Sequence, residues 1–195
     1  MSKAFQFVKY VAQLTPKYVS NSFHREFYYL HTQPKYLVQL MHVLNLHHNY
    51  QFKMFMDLAA IDYPANRDRF QVVYNLLSTL YANRLFVKVN NNETDSLPSL
   101  TFKYPSANWY EREAFDMFGI HFSNNNDLRR ILTDYGFSGH PLRKDFPMHG
   151  FTEVAYSERR KTVIYKPISL VQNYRNYDTL TPWNYFHDFD IPSQV

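Results

Sequence analysis

The side chains best suited to chemistry gather in one window, from Asn108 to Pro147. Glu111, Arg112, Glu113 and Asp116 fall within two helical turns. Carboxylates that close can serve as general acid and base when their surroundings drive their pKa values apart. No nucleophile or metal-ligand set accompanies them, so ion pairing, locally or between subunits, is the expected use. Arg112 and Asp116, at i and i+4, read as a helical ion pair worth a few tenths of a kcal/mol. A second charged group follows: Arg129, Arg130, Arg143 and Lys144, interleaved with Asp127, Asp134 and Asp145. Guanidinium forks can clamp phosphate, but a groove for polyanions keeps its positive charge free. Here the interleaved acids nearly cancel it, which points to an ion-pair network within the fold or across an interface.

Other chemistries find no support. Cysteine is absent, which excludes disulfides and Cys-ligated zinc or iron–sulfur centres in this chain. His42, His47 and His48 miss the i, i+4 spacing of two helical metal ligands, because position 46 is Leu. There is no Walker-type phosphate loop, no Gly-x-Gly-x-x-Gly and no Gly-x-Ser-x-Gly elbow. Net charge is +4, concentrated in residues 1–60, where six Lys/Arg face Glu26 and Asp57. That excess is too small to argue for nucleic acid. An RNA-binding protein using this basic end and its tyrosines is the second reading, and salt-dependent RNA retention would mark it.

The elements that must carry these residues can be read from periodicity. Residues 4–14 pattern as an amphipathic helix ending before Pro16, read as mature rather than as an import signal because no Arg precedes Arg25. Residues 18–23 and 26–31 read as short strands. Pro34 opens a helix whose apolar stripe is Leu37, Leu40, Met41 and Leu44, with His48 a further candidate. Residues 52–61 are mostly apolar, like a central strand. Phe70, Val72, Tyr74 and Leu76, then Leu85, Val87 and Val89, alternate as half-buried strands do. The next helix should start with Asn108 as N-cap and Glu111 closing a capping box, and stop at Gly119. On its wheel Tyr110, Ala114, Met117 and Phe118 form the core arc; Arg112, Glu113 and Asp116 form a charged patch on the opposite arc. The class is therefore α+β: a mixed or antiparallel sheet with helices packed on it.

All four glycines lie between 119 and 150, in a stretch also rich in proline and arginine. Such a stretch reads as irregular backbone with a fixed path. Val163, Tyr165 and Ile168 suggest an edge strand, and the aromatic end from Tyr174 to Phe189 shows little pattern. The expected organisation is an α+β core domain over residues 1–118 and a long irregular C-terminal arm over 119–195 that docks on a partner. No apolar run approaches the roughly 18 residues of a membrane span. The skew towards Phe, Tyr, Asn and Lys matches AT-rich codons and points weakly to an organelle genome.

Read together, Asn108-Trp-Tyr-Glu-Arg-Glu-Ala-Phe-Asp-Met-Phe-Gly, Asp127-Leu-Arg-Arg-Ile-Leu and Gly139-His-Pro-Leu-Arg-Lys-Asp-Phe-Pro resemble the 30-kDa-type core subunit of respiratory complex I, the NADH:quinone oxidoreductase. Asp62-Tyr-Pro, Arg69-Phe and Tyr177 to Trp183 extend the resemblance to nearly the whole chain. One departure is Asn125, where the family usually has His. The resemblance implies a proton-pumping NADH:ubiquinone reductase in which this chain is a non-catalytic scaffold of the peripheral arm, supporting assembly of the quinone-reducing module. It implies no cofactor here; FMN, iron–sulfur clusters, NADH and quinone belong to neighbouring subunits. The implied partners are the hydrogenase-like subunit of the quinone site and adjacent iron–sulfur subunits, with membrane association only through the complex. The implied location is the matrix side of the mitochondrial inner membrane, with the gene in the mitochondrion. Glu111, Arg112, Glu113, Asp116, Arg129, Arg130, Arg143 and Asp145 are then expected to serve assembly, with no catalytic, cofactor or metal residue.

Overall fold

The computed structural model describes residues 19–24 and 27–175. The helix expected over 4–14 and the aromatic stretch beyond 175 lie outside the described residues. By its contacts the chain divides into two compact units, one up to Met148 and one from His149 onward.

The first unit is a five-stranded sheet with helices. Its strands are β1 (Ser20–His24), β2 (Phe27–Thr32), β3 (Met54–Asp62), β4 (Phe70–Ser78) and β5 (Asn83–Asn91), in the order β1-β2-β5-β4-β3. β2 and β5 run parallel and the other neighbours antiparallel, so the sheet is mixed. The alternation read from the sequence sets its faces. Phe70, Val72, Tyr74 and Leu76 of β4 and Leu85, Val87 and Val89 of β5 are all buried. β3, expected as a central strand, is instead an edge among the described residues. Its inner face buries Phe55 and Leu58, while Met54 and Ile61 stay exposed. Its composition reads as doubly buried because apolar Met54 and Ile61 also occupy exposed positions, and a register shift between Phe55 and Asp57 breaks its alternation.

Helix α1 (Leu37–Leu46) follows a 3-10 turn at Pro34–Tyr36. Proline fits that first turn because its missing N–H has no helical partner there. Leu37, Leu40, Met41 and Leu44 are the buried stripe, and His48 lies beyond the helix end. Each such buried side chain contributes about 1.5–3 kcal/mol. Tyr104, also buried, donates its hydroxyl to the Phe52 carbonyl at 2.7 Å.

Helix α2 (Ala107–Phe118) packs on β3. Asn108 is not its N-cap: Ser106 occupies that position and makes no side-chain cap. Glu111 does not close a capping box either, since its carboxylate is engaged elsewhere. Gly119 ends the helix with φ 77°, a left-handed turn that a side chain would strain. A two-stranded parallel pair, β6 (Leu97–Pro98) and β7 (Phe122–Ser123), ties the segments flanking α2.

The second unit contains an antiparallel hairpin, β8 (Thr152–Ser157) and β9 (Thr162–Pro167). Val163 and Tyr165 fall in β9, and the Ile168 N–H donates to the Phe151 carbonyl. No helix among the described residues is long and apolar enough to cross a membrane.

Candidate functional site

The charged residues singled out above surround α2, but not as the wheel suggested. Glu111, Arg112 and Asp116 are buried, and Glu113 alone of the four is exposed. The charged arc is covered because the backbone after Gly119 turns back and lays its polar groups along it.

Glu111 joins three segments. One oxygen accepts the Leu100 N–H at 2.8 Å; the other accepts the Ser99 hydroxyl at 2.7 Å and the Asn125 amide at 2.8 Å. Burial raises the Glu111 carboxyl above its ordinary range, and these three hydrogen bonds only partly oppose it. No cation is within ion-pair distance of it among the described residues. Asn125 thus supplies an amide donor to this buried carboxylate.

Asp116 meets the densest set of donors. The backbone N–H groups of Ile131, Leu132 and Thr133 converge on Oδ2 at 3.2, 2.8 and 2.9 Å. The Thr133 hydroxyl donates to Oδ1 at 2.7 Å, and Arg130 Nη1 lies 3.4 Å away. Burial alone would raise this carboxyl; the donors from Thr133, Leu132 and Ile131 outweigh it and hold Asp116 below its ordinary value. Three successive N–H groups around one carboxylate form an anion nest, filled here by the chain's own side chain. Arg130 also donates to the Gly139 carbonyl at 2.9 Å, and the His140 ring pairs with the Asp116 carbonyl at 3.0 Å.

Asp62, at the end of β3, anchors the other side. Arg69 grips it with two bonds, at 2.8 and 3.0 Å, and the Lys144 N–H donates at 2.8 Å. The fork from Arg69 is the main reason the Asp62 carboxyl sits below its ordinary value. Arg69 also reaches Asp145 at 3.0 Å and Glu93 at 3.3 Å. Arg143 pairs with Glu93, donates to the Phe118 carbonyl at 2.6 Å and lies over the Phe70 ring at 5.3 Å.

Arg112 and Asp116 do not pair, although their spacing allows it. Asp116 is consumed by donors from residues 130–133, and Arg112 turns the other way. Its guanidinium stacks on Trp109 at 4.9 Å, its Nε donates to the Arg129 carbonyl at 3.1 Å, and Asp127 is 4.0 Å away. Arg129 itself is exposed and pairs with Asp127 at 3.0 Å.

The structure therefore brings Glu111, Arg112, Asp116, Arg130, Arg143 and Asp145 into contacts that fix residues 119–148, leaving Glu113 and Arg129 on the surface. Asp62, Arg69 and Glu93 are equal members that charge spacing alone does not mark. A signal did exist: Asp62 and Arg69 flank a strand connection, where the register sets Asp62 opposite Phe70, next to Arg69. Chemically the arrangement is a set of internal clamps. The oxygens of Glu111, Asp116 and Asp62 are already engaged by the chain's own donors. No group of three or more His, Cys, Asp or Glu among the described residues could hold a metal ion.

The chain is similar to known proteins over most of its length. Residues 30–152 match the family model described as the respiratory-chain NADH dehydrogenase, 30 Kd subunit. The chain is 44% identical over 172 residues to NADH-ubiquinone oxidoreductase subunit 9 of Reclinomonas americana, covering 88% of this chain and 84% of that one. It is 51% identical over 150 residues to an NADH-quinone oxidoreductase subunit from Ruegeria pomeroyi, covering 77% and 75%. Among solved structures, a chain of the membrane-bound sulfane sulfur reductase, an archaeal respiratory membrane complex, superposes with a TM-score of 0.64 at 24% identity. That match covers 75% of this chain and 87% of the other, and it shows the fold.

Proposed function

The chain belongs to the family of the 30 Kd subunit of the respiratory-chain NADH dehydrogenase, and from that membership we propose that it is a cofactor-free scaffold of that enzyme's peripheral arm. It carries no step of the reaction. NADH, FMN, iron–sulfur clusters and quinone are handled by neighbouring subunits, and this chain holds the quinone-reducing module together. Its partners are the hydrogenase-like subunit of the quinone site and adjacent iron–sulfur subunits. It meets the membrane only through the complex, on the matrix side of the mitochondrial inner membrane, and a mitochondrial gene accounts for its AT-rich composition.

One observation carries this reading. Residues 119–148 are irregular, yet Asp116, Asp62, Glu111 and Arg143 clamp them, and they present Leu132, Tyr135, Leu142 and Met148 outward. Tyr135 is 99% exposed. Large apolar side chains on a pre-ordered surface are what a docking face needs, because little ordering cost remains on binding. Buried carboxylates whose oxygens are already engaged by the chain's own donors suit a scaffold better than an acid–base catalyst.

The test is a native gel of membranes probed for this chain. Migration in a large NADH-oxidising band is expected, and the purified chain alone should neither oxidise NADH nor reduce quinone. Catalysis by the isolated chain would overturn the reading.

A further inference from the structure

Helix α2 holds two carboxyls, Glu111 and Asp116, that are both 0% exposed yet differ in their surroundings. Asp116 faces three backbone N–H groups and Arg130. Glu111 faces one backbone N–H, one hydroxyl and one amide, all neutral. A buried carboxylate without a cation is costly to keep charged. Two carboxyls set apart in this way divide into a charged group and an acid. The donors around Glu111 also decide where a proton would sit. Oε1 is closed to it, because the Leu100 N–H points there at 2.8 Å. The Asn125 amide cannot turn over to accept it. Its Oδ1 is held by the Asp127 N–H at 2.9 Å, so its Nδ2 faces the carboxyl. The Ser99 hydroxyl, by contrast, can rotate. Its oxygen lies 2.7 Å from Oε2 and 2.9 Å from the Thr101 hydroxyl, and it accepts the Thr101 N–H at 3.2 Å. Thr101 is half-buried, so the two hydroxyls lead from the buried carboxyl towards the surface.

We propose that Glu111, Ser99 and Thr101 form a proton site: the closed fold holds Glu111 as an acid with its proton on Oε2, aimed at the Ser99 oxygen, and loss of that proton through the Thr101 hydroxyl loosens the cover that Asn125 supplies. Uptake needs only that the Ser99 hydroxyl turn to donate to Thr101 Oγ1. The proton comes from water and returns to it. Linkage fixes the direction. Burial raises the Glu111 carboxyl, and opening the Asn125 side to water returns it to its ordinary range. The closed seat therefore binds the proton more tightly than the open one. It is firmest below the ordinary glutamate range and loosens as pH rises through the folded value. The charged groups on the surrounding elements are committed elsewhere. On α2, Arg112 turns to Trp109, Asp116 is spent on residues 130–133, and Glu113 is exposed. On β3, Asp57 is exposed and Asp62 is held by Arg69. Asp127 pairs with Arg129, and neither Lys103 nor the exposed His121 forms an ion pair with Glu111. Tyr74 of β4 does feel the Glu111 charge, but its buried hydroxyl is held well above its ordinary value and stays neutral over this range. The inference concerns the chain itself and does not rest on the scaffold reading.

The experiment is an infrared titration of the full chain, compared with Glu111→Gln, with amide exchange followed in parallel. A carboxylic-acid C=O band present in the parent and missing from Glu111→Gln should persist above the ordinary glutamate range and fade as pH rises further. The Asp127 amide reports the Asn125 turn. Its protection should fall several-fold over the same interval, after correction for the ordinary rise of exchange with pH, and Glu111→Gln should lack that extra fall. Thr101→Val keeps the shape of the site and removes the outer hydroxyl. The acid band should remain in it, while the deuterium shift of that band in heavy water should slow several-fold. Glutamate isotope-labelled at its carboxyl carbon separates the band from aspartate, so the parent and Thr101→Val carry the test if Glu111→Gln fails to fold. A Glu111 band that is gone by the top of the ordinary range overturns the proton site. So does Asp127 protection that follows intrinsic exchange alone. An unchanged deuterium shift in Thr101→Val overturns the hydroxyl path.

Discussion

Asp116 offers the sharpest test of the clamp, because one buried side chain organises a distant stretch of backbone. In Asp116→Ala the N–H groups of Ile131, Leu132 and Thr133, the Thr133 hydroxyl and Arg130 all lose their common acceptor. Hydrogen bonds to a charged group are worth about 1.5–3 kcal/mol each, but they are not additive, and water can reach the half-buried loop once the carboxylate is gone. A net loss of about 3–5 kcal/mol is expected, as for removal of one partner of a buried charged pair. Asp116→Asn keeps one oxygen for the N–H nest and loses the charge, so about 2–3 kcal/mol is expected for it. Total stability of a domain is about 5–15 kcal/mol, so either change is large. The assay is denaturant unfolding: the midpoint should fall at unchanged m-value, and Glu113→Gln, on the exposed face, should leave it within about 0.5 kcal/mol. The acid limb supplies a second readout. Asp116 is held below its ordinary value, so its contribution is full above the ordinary aspartate range and is lost as pH falls through the folded value. Asp116→Asn should therefore lose less stability than the parent on acidification through that range. An Ala variant less than about 1 kcal/mol weaker than the parent, with amide exchange at 131–133 unchanged, would refute the clamp.

Three further outcomes follow from neighbouring residues. Burial raises the Glu111 carboxyl, so its contribution is fullest below the ordinary glutamate range and declines as pH rises through the folded value. The stability gap between parent and Glu111→Gln should accordingly narrow from acid to neutral pH, measured by unfolding at several pH values. Gly119→Ala combines a φ of 77° with a Cβ only 2.6 Å from Arg143 Nη2 and 2.7 Å from the His140 ring. It should cost about 1–3 kcal/mol and speed amide exchange around residues 140–143. The Tyr74 hydroxyl is buried without a hydrogen-bond partner among the described residues, so Tyr74→Phe should leave the unfolding midpoint unchanged or raise it slightly.

The strands and the first helix were legible because burial there follows local periods. Phe70 to Leu76 and Leu85 to Val89 alternate, and Leu37 to Leu44 form one stripe. The second helix misled for an equally physical reason. A helical wheel assigns charged residues to solvent, and nothing local reveals that residues 130–133 return to cover Asp116, or that Ser99, Leu100 and Asn125 meet around Glu111. The i, i+4 spacing of Arg112 and Asp116 permitted a pair that tertiary donors pre-empted. The motif Glu111, Arg112, Glu113, Asp116 marked the right window, whereas its roles depended on partners 11 to 17 residues away. Asp62, Arg69 and Glu93 escaped because each looks like an ordinary strand-end charge until Lys144 and Asp145 arrive.

The scaffold reading is tested most directly by Arg143→Glu, scored separately for the amount of assembled enzyme and for turnover per assembled enzyme. Arg143 holds Glu93 and the Phe118 carbonyl, so reversing its charge loosens the segment that presents Leu142. The expected result is a marked fall in the NADH-oxidising band on native gels, with quinone reduction per remaining complex nearly unchanged. A normal amount of complex that has lost turnover would contradict it.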